Sequence, residues 1–143
     1  MNWECHGVPA TIAAGSELAD ELRSGDVVAL VGGLGMGKTH FTKGIALGLG
    51  HSGEVTSPTF SLAHEYLDGR LPLFHFDFYR LEEEAEALRI GWEDYLDEDG
   101  ILVIEWADRL PALLPDTARW IHFAAGSEEG SRTLTEKPAP RHG

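Results

Sequence analysis

The stretch "VVALVGGLGMGKTHF", from Val27 to Phe41, constrains the fold more than any other part of the chain. Val27 to Val31 form a run of strand length with no polar side, as a buried strand requires. Four glycines and a single lysine follow, and the pattern then turns helical. Gly32, Gly37, Lys38 and Thr39 fit G-x-x-x-x-G-K-[ST], with a strand before the loop and a helix after it. Glycines let such a loop curl until successive N–H groups point inward as an anion-binding nest. The helix N-terminus adds its positive end. Lys38 then reaches the β- and γ-phosphates of a nucleotide, and the Thr39 hydroxyl is placed for Mg²⁺. Gly35 and Met36 complete the loop that is expected to line the nucleotide. A glycine-rich turn with a surface lysine is the plain alternative, and two correct flanks argue against it.

The rest of the chain fits around that unit. Its 143 residues suffice for one domain with one real core, and 43% of them are hydrophobic. A formal net charge of -13 repels phosphate backbones, which argues against broad electrostatic binding of nucleic acid. One cysteine, Cys5, allows no internal disulfide and fits a reducing compartment. "MNWECHGVP" lacks the order of a signal peptide, and no apolar run is long enough to span a bilayer. The expectation is a cytoplasmic protein with no membrane contact. Ser16 reads as the cap of a helix through Leu18 and Leu22. "TKGIALGLG" reads as a helix weakened by Gly44 and Gly48 and stopped by Gly50. "FSLAHEYL" and "LPLFHFDFY" read as a hairpin turning at Asp68-Gly69. "EEEAEALR" is a short acidic helix, and "ILVIEW", "WIHFAA" and "RTLT" are further strands. This alternation predicts a three-layer α/β fold on a mixed, partly parallel sheet, with one domain over 1–135 and a disordered tail over 136–143.

Two acids are candidates for the phosphate site. Glu105 ends the apolar run from Ile101, and parallel neighbours place their C-terminal ends on the edge that carries the loop after Val31. Glu105 would then hold Mg²⁺ directly or through water, although an exposed acid at a strand end is common. In "HFDFYR", alternation puts His75, Asp77 and Tyr79 on one face and Phe76 and Phe78 on the other. Asp77 is either a metal or water ligand or a loop cap, and His75 reads as a hydrogen-bonded core residue. Thr56, Ser57 and Thr59 surround Pro58 in a loop that either senses phosphate and metal or is an ordinary turn. The chain has no N-K-x-D segment, so ATP is preferred to GTP. Eleven Lys plus Arg residues are scattered, with no arginine-rich lid, which weakens a small-molecule P-loop kinase reading without removing it.

"GGLGMGKTHF", "VTSPTF", "HFDFYR" and "VIEWADRL", in that order, resemble the TsaE (YjeE) family of bacterial P-loop ATPases needed for threonylcarbamoyladenosine formation on tRNA. The resemblance runs from about Ser16 to Pro115. It implies a P-loop NTPase-like fold and slow hydrolysis of ATP to ADP with Mg²⁺. It implies two partners, the threonylcarbamoyl transferase subunit and its inactive paralogue, with tRNA reached only through that complex. It assigns Lys38 and Thr39 to phosphate and Mg²⁺, Glu105 to the metal site and Asp77 to hydrolysis. Thr56, Ser57 and Thr59 match a switch-like loop. Trp106 follows Glu105, as in the family, near the nucleotide. Alternation alone puts Trp106 opposite Glu105, where a core role fits as well. Two positions depart from the family pattern. Gly33 stands where Asp is usual, and His40 stands where a second Thr is usual. His40 keeps its backbone N–H for an α-phosphate but loses the hydroxyl, so nucleotide affinity is expected to differ. A nucleotide-binding regulator without useful turnover is a third reading.

Overall fold

The run at Val27–Val31 becomes the central strand of the sheet. The computed structural model describes residues 1–33, 35–56 and 63–138. In chain order the elements are β1 (Asn2–His6), α1 (Val8–Ala19), β2 (Val27–Val31), α2 (Lys38–Gly48), β3 (Ala63–Tyr66), β4 (Leu73–Asp77), α3 (Glu84–Arg89), α4 (Trp92–Asp97), β5 (Ile101–Glu105), β6 (Arg119–Ala125) and β7 (Ser131–Lys137). Two short 3-10 turns, Ala107–Arg109 and Pro111–Leu113, follow β5. One seven-stranded sheet has the order β1-β7-β6-β2-β5-β4-β3. Its centre, β6-β2-β5-β4, is parallel, and β7, β1 and β3 are antiparallel flanks. The mixed, partly parallel sheet expected from the sequence is therefore present.

Strand alternation sorts the core into two layers. Val28, Leu30, Val103 and Leu73 pack with Leu18, Phe41 and Ile45 of α1 and α2. Ala29, Leu102, Ile104, Phe76 and Phe78 pack on the other face with Trp92 and Ala87 of the acidic helices. Phe76 and Phe78 thus point away from His75 and Asp77, as period two requires. Among the described residues, no helix is long and apolar enough to cross a membrane.

Three local expectations need correction. First, the first helix starts at Val8, well before Ser16. Gly7 (φ 90) precedes it and Pro9 lies in its first turn, where the missing N–H costs nothing. Ser16 lies inside the helix rather than capping it. Second, Glu136 and Lys137 belong to β7 rather than to a tail that begins at residue 136. Glu136 accepts from Arg119 Nε at 2.9 Å, and this pairing holds its carboxyl down at about 2. Third, the glycines of α2 are more than helix weakeners. A Cβ on Gly44 would strike the Ile12 carbonyl oxygen and lie 3.0 Å from the Gly15 Cα. The bare backbones let α1 and α2 touch, and α2 carries Lys38 and Thr39 at its start.

That contact gives a direct expectation. On an isolated helix, Gly→Ala is favourable by about 1 kcal/mol. Gly44→Ala is expected to destabilise this protein instead, by about 1–3 kcal/mol, because the backbone of α1 cannot yield as a side chain would. Urea unfolding should show a lower midpoint with an unchanged slope.

Candidate nucleotide site at the strand ends

The loop after β2 has the geometry its glycines suggest. Gly35 (φ 73) and Gly37 (φ 98) take left-handed backbone, and Gly37 leads directly into α2. Lys38 is 5% exposed and folds back along the loop. Its Nζ donates to the Gly32 carbonyl at 2.6 Å and the Gly33 carbonyl at 2.8 Å. It also sits 4.1 Å from the centre of the Trp106 ring, as a cation over a π face. Burial pulls the Lys38 ammonium below its usual range, while Glu105, Asp77 and Asp108 oppose that shift.

The two candidate acids are lateral neighbours. The β4–β5 register places Asp77 beside Glu105, and β2 places Leu30 on the other side of Glu105. Both carboxylates therefore share the sheet edge from which the loop departs. Glu105 is 4% exposed, and the Thr39 hydroxyl donates to its Oε2 at 2.9 Å and its Oε1 at 3.2 Å. Asp77 Oδ1 accepts the Tyr79 backbone N–H at 2.8 Å. The loop-cap role of Asp77 is thus present in the same residue that faces the phosphate loop.

These groups line one cavity of about 480 Å³. Gly35, Met36, Gly37, Lys38, Thr39 and His40 form its α2 side, while Asp77, Tyr79, Glu105 and Trp106 form the strand-end side. Gly32 contributes its carbonyl to Lys38 without lining the cavity. The Thr56 backbone hydrogen-bonds Tyr66, and Thr56 is not on the cavity wall. Ser57 and Thr59 lie outside the described residues.

Trp106 overturns the alternation argument. It is the one non-glycine residue with positive φ among the described residues, at 57°. The strand ends at Glu105, and the left-handed step rotates the next side chain out of period. The ring leans against Tyr79, with centroids 4.8 Å apart, and presents a face to Lys38. It stands beside Glu105 on the cavity wall rather than across the sheet from it. A bulky residue held in this conformation costs energy and is typical of functional sites.

Sequence reasoning missed part of the lining. Gly7, Val8 and Thr11 from the β1–α1 junction and Gly130 and Arg132 from the β6–β7 turn also line the cavity, and the β1–β7 pairing sets the two groups side by side. The only local signal was Gly7 followed by Pro9, a helix-entry pattern that says nothing of a ligand.

A strand, a glycine loop holding its own lysine, and a hydroxyl–carboxylate pair at the parallel edge define a P-loop NTPase-like α/β protein. The crystal structure of Bacillus subtilis YdiB supports this class, with a TM-score of 0.83 at 33% identity over 98% of this chain and 86% of that one. A family model described as "Threonylcarbamoyl adenosine biosynthesis protein TsaE" matches residues 5–134. The Bacillus subtilis protein named "tRNA threonylcarbamoyladenosine biosynthesis protein TsaE" is 41% identical over 136 residues, 94% of this chain and 85% of the relative. A Treponema pallidum protein of the same name is 45% identical over 114 residues, 80% of this chain and 83% of its own length. The chain belongs to the TsaE family, and the small-molecule kinase reading is not favoured.

Proposed function

We propose that this chain binds and slowly hydrolyses ATP in the cytoplasmic system that forms threonylcarbamoyladenosine on tRNA. In that system it works with the threonylcarbamoyl transferase subunit and its inactive paralogue. Family membership supports the pathway, since the relatives carry its name. The observation that carries the chemistry is Lys38, Thr39 and Glu105 converging on one cavity at the end of a parallel strand pair. The net charge of -13 supports tRNA being held by the partners rather than by this chain.

The donor set fits Mg²⁺. Thr39 and Glu105 are in contact at 2.9 Å and Asp77 is the register neighbour of Glu105, so the site offers hard oxygens. Among the described residues, no group of three His, Cys, Asp or Glu forms a ready metal cage. Mg²⁺ suits such a site, because it takes one or two carboxylates together with substrate phosphates and water. Bound with ATP, it would neutralise charge on the transferring phosphoryl group. Lys38 would exchange the Gly32 and Gly33 carbonyls for phosphate oxygens. The loop N–H groups and the start of α2 would orient the phosphates. Asp77 would orient the attacking water, and the Trp106 ring would shield the lysine from solvent.

Reconstitution tests the proposal. Purified transferase pair, tRNA, a threonylcarbamoyl donor and ATP should give many turnovers of threonylcarbamoyladenosine only when this chain is added, as read by mass spectrometry of nucleosides. An equal yield without the chain, or ADP formation that depends on a small-molecule phosphate acceptor, would sink it.

A further inference from the structure

A third titratable side chain, His75, shares the sheet face of the two acids and reaches Glu105. His75 is on β4, fully buried, and the register sets it beside Val103 of β5. Glu105 lies two residues further along the same face, diagonal to His75, and a long side chain spans that separation. His75 Nε2 approaches Glu105 Oε2 at 2.6 Å. A carboxylate only accepts, so Nε2–H is the donor, and a hydrogen bond to a charged acceptor is among the stronger kinds. Oε2 also receives the Thr39 hydroxyl at 2.9 Å, whereas among the described residues Oε1 has only the longer 3.2 Å contact from that hydroxyl. Two donors therefore occupy Oε2, and most of the remaining lone-pair capacity lies on Oε1.

The other imidazole nitrogen makes the point sharper. Nδ1 is buried with no hydrogen-bond partner among the described residues. A side chain placed there only to fill space would do better without that atom, since a buried polar group without a partner is destabilising. The contact that justifies an imidazole at this position is the one to Glu105.

From this geometry we infer that His75 is a positioning residue for Glu105: it fixes Oε2 from the core side and leaves Oε1 presented to a Mg²⁺-bound nucleotide. The inference rests on the reading that Glu105 serves such a ligand. Hydrogen-bonding partners of ligating carboxylates typically matter by about 10–100-fold in metal affinity.

The test is Mg²⁺ titrated into the full chain at fixed ADP, with nucleotide binding followed by calorimetry, for the wild type, His75→Phe, His75→Asn and His75→Gln. Gln carries an amide N–H about as far out as Nε2, and Asn is too short to reach Oε2. The half-saturating Mg²⁺ concentration should rise about tenfold or more for Phe and Asn and return close to the wild-type value for Gln. ADP binding measured in EDTA should be unchanged in all of them, which a general loosening of the core would not allow. Equal values across all variants, or equal weakening of Gln and Asn, would overturn the role. If the Phe variant does not fold, the contrast between Asn and Gln decides by the same criterion. A wild-type chain whose ADP binding ignores Mg²⁺ overturns the metal reading of Glu105 together with this one, and the wild-type trace alone identifies that case.

Discussion

Lys38→Ala is expected to abolish the rise in melting temperature that Mg·ATP or Mg·ADP gives the wild-type protein. A ligand that binds only the folded state stabilises it by mass action, by about 2.7 kcal/mol at a hundred times its dissociation constant. For a domain of this size that corresponds to roughly 8 °C. Lys38 is a buried cation on the cavity wall, held at 2.6 and 2.8 Å by two loop carbonyls that a phosphate would replace. Without ligand the substitution should cost little, because Gly33 is exposed and water can serve the released carbonyls. The variant should therefore melt within a few degrees of the wild type alone and stay there when nucleotide is added, as differential scanning calorimetry would read. A shift that survives the substitution would remove the P-loop from the account of binding.

What the sequence disclosed was set by how local each cause is. The β2 strand, the loop and the start of α2 were legible because buried-strand pattern, glycine freedom and the lysine all act within fifteen consecutive residues. Glu105 and Asp77 were legible as strand ends on one edge, since parallel strands share that edge. Their being direct neighbours required the register, which only the sheet supplies. Trp106 was misplaced because period two assumes extended backbone, and no glycine marked the left-handed step that breaks it. Gly44 and Gly48 looked like weak helix because the benefit of a missing Cβ lies on another helix. The β1 strand is an edge element whose partner, β7, is more than a hundred residues away, so its wall of the cavity had no local signature. His75 was read correctly as a hydrogen-bonded core residue, but its partner lies thirty residues on and became visible only in three dimensions.

The same register that unites the two acids also makes their substitutions hard to interpret unless the replacements are chosen by geometry. Glu105→Gln and Asp77→Asn are each expected to lower partner-stimulated ATP hydrolysis by about 10²–10³-fold, the scale seen when one preorganised charge-stabilising group is removed. Nucleotide affinity should change far less, because Lys38 and the loop N–H groups supply most of the phosphate contact. Asn keeps a carbonyl oxygen where Asp77 Oδ1 accepts the Tyr79 N–H, so Asp77→Asn removes the charge and spares the turn. Asp77→Ala removes both and should additionally lose about 1 kcal/mol of unfolding free energy, the net worth of an ordinary hydrogen bond. Hydrolysis rates and melting temperatures taken on the same preparations separate the two roles. If Asp77→Asn hydrolyses ATP like the wild type while Asp77→Ala is merely less stable, Asp77 is a loop cap. The metal and the water would then rest on Glu105 alone, with the sheet edge contributing one functional carboxylate instead of two.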